Sequence, residues 1–120
     1  MNPEDEKLLA YAHLTTAQSR LYVRSMTEEM PPDRREEFIQ TQLERLTARA
    51  MSLNQRYDPT LPDYVRLRLV ASLNVFNKRS EGIRRTLSKP GPITIDDAGR
   101  AIGDLAIIYG HLWTAGIGLN

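Results

Sequence analysis

The sequence predicts an all-α fold, a single-domain antiparallel bundle of about four long helices spanning residues 1–120. Three observations predict it. Apolar residues recur at intervals of three and four along most of the chain, which draws one stripe down the side of a helix. Proline-marked breaks fall at three places, Pro31-Pro32, Asp58–Asp63 and Lys89–Pro92, and divide the chain into four segments of about 22 to 28 residues. No segment alternates with period two over a useful length, so no strand is expected. A length of 120 residues suits one core and is too short for two good ones.

The first segment carries a broad stripe of Leu8, Tyr11, Leu14, Ala17, Leu21 and Val23 or Met26. The second is cleaner: Ile39, Leu43, Leu46, Ala50, Leu53 and Tyr57 step by four and three, with Glu36, Glu44, Arg45, Arg49 and Arg56 mostly off the stripe. In the third, Leu69, Leu73, Phe76, Ser80, Ile83 and Leu87 repeat the pattern, widened by Val65 and Ser72. The fourth opens with Thr94, whose hydroxyl can cap a helix, and with Asp96 and Asp97 at the positive end of the dipole. Ala98, Ile102, Leu105, Tyr109 and Leu112 follow at helical spacing. The expected core is Leu43, Leu46, Leu53, Leu69, Leu73, Phe76, Ile83, Ile102 and Leu105. Short loops make sequential helices antiparallel neighbours.

Helix four is the exception, because after Asp104 it is apolar almost all round. Ile107, Ile108, Leu112, Trp113, Ile117 and Leu119 cannot all point into one small bundle. Gly99, Gly103, Ala106 and Gly110 form a row of small residues that would admit another backbone closely. Two readings stand: a central helix within the monomer, or a dimer or partner interface formed by Gly103, Gly110, Trp113 and Ile117.

Charge narrows the functional classes. Lys and Arg number 16 against 15 Asp and Glu, a formal net of +1, so the chain as a whole has no strong electrostatic bias. The 13 arginines against three lysines fit a GC-rich genome. Residues 63–89 nevertheless carry a local net of +5, and residues 1–37 a local net of −3. Lys78, Arg79, Arg84, Arg85 and Lys89 form the expected basic patch, which is a solvated helix end, a dock for an acidic protein or a nucleic-acid contact.

Site chemistry is sparse. There is no cysteine, hence no disulfide, thiolate ligand or thiol nucleophile. The carboxylate pairs Glu28-Glu29, Glu36-Glu37 and Asp96-Asp97 are sequence neighbours, which diverge by about 100° on a helix. Glu-x-x-His, Gly-x-Ser-x-Gly, Gly-x-Gly-x-x-Gly and a phosphate-binding loop are all absent. His13 and His111 would stand at similar heights on helices one and four and so could meet. Arg20, Arg24, Arg45, Arg49 and Arg79 are candidates by type for an anion pocket. No catalytic residue, metal or cofactor is assigned.

The acidic start Asn2-Pro3-Glu4-Asp5-Glu6 is unlike a signal peptide, and no apolar run is long enough to span a bilayer, so a cytoplasmic location without membrane contact is expected. No motif identifies a family. The layout of long helices, a proline break and an apolar terminal segment is loosely similar to that of small helical anti-activators of conjugative plasmids, in length and layout alone. The sequence therefore favours a small non-catalytic regulator or adaptor of bacterial type that binds another protein as a homodimer. The alternatives are a nucleic-acid-binding regulator using the basic end of helix three, and a small helical enzyme with an arginine-lined pocket.

Overall fold

The computed structural model describes residues 16–117 and 119. Among the described residues four helices follow one another: α1 (Thr16–Glu29), α2 (Pro32–Gln55), α3 (Asp63–Leu87) and α4 (Ile95–Ala115). About 80% of the described residues are helical, and none of them is in a strand. The all-α bundle expected from the stripes is what forms. Leu8, Tyr11, Leu14 and His13 lie outside the described residues, and the side chains described begin at Val23.

The breaks follow local chemistry. Proline 32 opens α2, where its missing N–H loses no helical bond, and Asp33 adds negative charge to the first turn. Between α2 and α3, Asp58 Oδ1 accepts from the amide and the hydroxyl of Thr60 at 2.8 Å each, which fixes the turn and holds the Asp58 carboxyl below the usual carboxylate range. Arg66 then reaches back to the Pro59 carbonyl at 3.0 Å and to Asp63 at 2.8 Å. Between α3 and α4, Gly91 takes φ +82°, a left-handed conformation that glycine adopts without a Cβ penalty. Thr94 caps α4 as expected: its hydroxyl accepts from the Asp97 amide at 3.1 Å.

One core draws on all four helices. The α2 stripe is buried from Ile39 to Leu53, while Tyr57 at its end is exposed. Val65, Leu69, Ser72, Phe76, Ser80 and Ile83 are buried on α3, and Leu73 is only half-buried, at the edge of the face. Helix α4 packs against each of the other three. Its buried residues include Ala98, Ala101, Gly103, Ala106 and Ala115, whose small size lets three neighbouring helices approach a single axis. Ile102, Leu105, Ile108 and Leu112 fill the spaces between them. A central position thus accounts for most of the apolar character of this helix, though Trp113 and Ile117 remain exposed.

Candidate functional site

The antiparallel order brings the end of α2, the start of α3 and the end of α4 to one end of the bundle. Cations from two helices hold that end together. Arg68 on α3 donates to the Ile117 carbonyl at 2.5 Å, and Arg56, just past α2, donates to the Leu119 carbonyl at 2.6 Å. The Arg49 guanidinium lies so close over Gly116 that a Cβ there would run into it. Helix α4 has no basic residue in its own last turn, so these arginines supply the positive charge that the negative end of its dipole favours. Arg68 Nε is buried without a hydrogen bond of its own.

Around this clamp the surface carries large apolar side chains among polar ones. Eight large hydrophobic residues stay exposed among the described residues, and seven of them fall within residues 51–70 and 113–117. They are Met51, Tyr57, Tyr64, Leu67, Val70, Trp113 and Ile117, and the eighth, Ile95, lies at the opposite end. Tyr64 is 69% exposed, Leu67 64% and Ile117 60%. Single exposed apolar residues are ordinary on a protein surface, whereas such a concentration at one end is not.

The four residues expected at an interface part company. Gly103 is buried, and it lines a cleft with Val23, Arg24 and Thr27 of α1. The next glycine on its row, Gly99, also faces α1: a Cβ there would meet Val23 and Thr27 at ordinary contact distances. The close approach that the small residues allow is thus used within the chain along this part of α4. Gly110 is half-buried beside Arg68, Ala71 and Ser72 of α3. Trp113 and Ile117 belong to the apolar end, and the Trp113 ring stacks on that of Tyr109 with centroids 6.0 Å apart and planes 10° from parallel.

The basic patch divides as well. Arg79 pairs with Asp104 of α4 at 2.7 Å, and Lys89 with Asp97 at 3.2 Å. The hydrogen bond from Lys89 holds the Asp97 carboxyl below the usual carboxylate range, against a smaller opposing effect of desolvation. Arg84 bonds the Ser80 hydroxyl at 3.3 Å, leaving Lys78 and Arg85 pointing to solvent with no partner among the described residues. The positive excess read along α3 is therefore partly neutralised across the α3–α4 contact.

Of the arginines named for an anion pocket, Arg45 and Arg49 line one cleft of ≈ 450 Å³ between α2 and α4, together with Gln42, Leu46, Tyr109, Leu112 and Trp113. Arg79 is in its pair with Asp104, and Arg24 bonds Glu28 at 2.9 Å on the surface of α1. The Arg20 side chain is not among those described. His111 is exposed, and its suggested companion His13 lies outside the described residues. No three metal-ligating side chains converge among the described residues, and no described helix is long and apolar enough to cross a membrane.

No family model matches the chain, and neither does any curated protein or solved structure. The aromatic wall of the α2–α4 cleft was hidden in the sequence, because Tyr109 and Trp113 read there as parts of a core stripe and an interface. The spacing of four between them, on the same edge of α4 and opposite Arg45 and Arg49, was the signal that could have found it.

Proposed function

We propose that this protein is a non-catalytic regulator or adaptor that binds another protein, and that it works as a homodimer. The observation that supports the reading is the apolar end of the bundle, where Tyr64, Leu67, Trp113 and Ile117 stand exposed over an arginine-braced backbone. Apolar surface of this kind gains free energy when a partner covers it, and aromatic residues such as Trp113 and Tyr64 contribute strongly at protein interfaces.

The test compares partner capture by the wild type and by two charge variants. Trp113→Glu at the apolar end should abolish recovery of the partner, as identified by mass spectrometry. Arg85→Glu at the opposite end should leave recovery intact, and raised salt should weaken it little. Loss with Arg85→Glu, or a steep fall with salt, would instead move the interface to the cationic end and favour an acidic or nucleic-acid partner.

A further inference from the structure

The cleft between α2 and α4, which shares Trp113 with the apolar end, has the makings of a small-molecule site. Its ≈ 450 Å³ lies within the range typical of ligand pockets, about 300–1,000 Å³. Leu46 and Leu112, both buried, give it an apolar floor, and the buried Gln42 places one amide in it. One wall is aromatic, formed by Tyr109 stacked on Trp113. The facing wall is cationic, with Arg45 and Arg49 four residues apart on α2.

Arg49 is the distinctive group. It is half-buried, yet it makes no hydrogen bond or ion pair among the described residues. Its place is set by Gly116, which leaves room for the guanidinium where a side chain would displace it. An arginine held in this way, beside an aromatic surface, can meet a carboxylate through two parallel N–H donors. The neighbouring cations Arg56 and Arg68 are occupied on main-chain carbonyls and Arg45 has an interaction of its own, so Arg49 leaves the cleft charge for one carboxylate rather than for a polyphosphate.

We propose that this cleft binds a small planar aromatic acid, with the ring system against Trp113 and Tyr109 and the carboxylate on Arg49. Trp113 is the only tryptophan in the chain, so its indole N–H gives a single resonance in a ¹H–¹⁵N spectrum and reports directly on the site. The probes are 2-naphthoate and its neutral analogue 2-naphthylmethanol, titrated into the intact protein. The titration is repeated with Leu67→Glu, since self-association beside the cleft would compete with the probe. Naphthoate should shift the resonance saturably and bind about tenfold more tightly than the alcohol. Arg49→Gln should erase that preference and leave the affinity for the alcohol unchanged. Gly116→Ala, by pushing Arg49 aside, should weaken the acid selectively. The absence of a saturable shift in both proteins at millimolar probe would overturn the proposal, as would equal affinity for acid and alcohol. Retention of the acid preference in Arg49→Gln would overturn it too.

Discussion

Gly82 and Gly91 show how differently one residue type can matter. Gly82 lies inside α3 with open space where a Cβ would stand, so alanine there removes backbone freedom from the unfolded chain without a clash. Gly82→Ala should stabilise the protein by about 0.5–1 kcal/mol. Gly91 also has open space, but its φ of +82° is one that a residue with a Cβ adopts only under strain. Gly91→Ala should therefore destabilise by about 1–2 kcal/mol. Urea unfolding of both variants checks the pair, and a common sign would contradict the account. In the core, Leu46→Ala and Leu69→Ala should each cost about 2–5 kcal/mol, and a loss below about 1 kcal/mol at both would show the packing to be misplaced. Periodicity made these leucines legible. It could not foresee that Tyr57, at the end of its stripe, is exposed, or that Gln42 is buried beside that stripe.

Helix α4 was legible as an anomaly and not as a position. Its excess of apolar residues fits both a central helix and an interface, since sequence periodicity records which faces avoid water and not what covers them. Contact with α1, α2 and α3 resolves most of that excess internally. The same contacts explain why the run of charge along α3 overstated the patch: Asp104, 25 residues along the chain, reaches Arg79 only when α3 and α4 lie antiparallel, and Asp97 meets Lys89 across the turn between them. Two tests belong to this element. Thr94→Ala removes the acceptor that satisfies the Asp97 amide and should cost about 1 kcal/mol, read by thermal or urea unfolding. Because the folded-state pKa of Asp97 lies below its unfolded value of about 3.9, its contribution is complete above that pH and is lost as pH falls through the folded pKa. Asp97→Asn should thus lower stability at neutral pH and make the acid loss shallower, whereas a parallel pH profile would contradict the pairing with Lys89.

At the scale of the whole molecule the bundle is polar from end to end. One end gathers exposed Tyr64, Leu67, Trp113 and Ile117 around carbonyls held by Arg56 and Arg68, and the other carries Lys78 and Arg85 toward solvent. The basic patch and the exposed Trp113 and Ile117 were legible in the sequence, but the gathering of Tyr64 and Leu67 at the same end was not, because it joins helices that only the antiparallel order brings together. Under the proposed function the apolar end is the face through which a second copy docks. The most direct measurement is the mass in solution, by light scattering over a range of micromolar concentrations. The wild type should give twice the chain mass of 13.7 kDa, and Leu67→Glu should give the single chain mass with an unchanged circular dichroism spectrum. A wild-type monomer at every concentration, or a dimer that survives both Leu67→Glu and Trp113→Glu, would contradict the assignment of this end as the dimer interface.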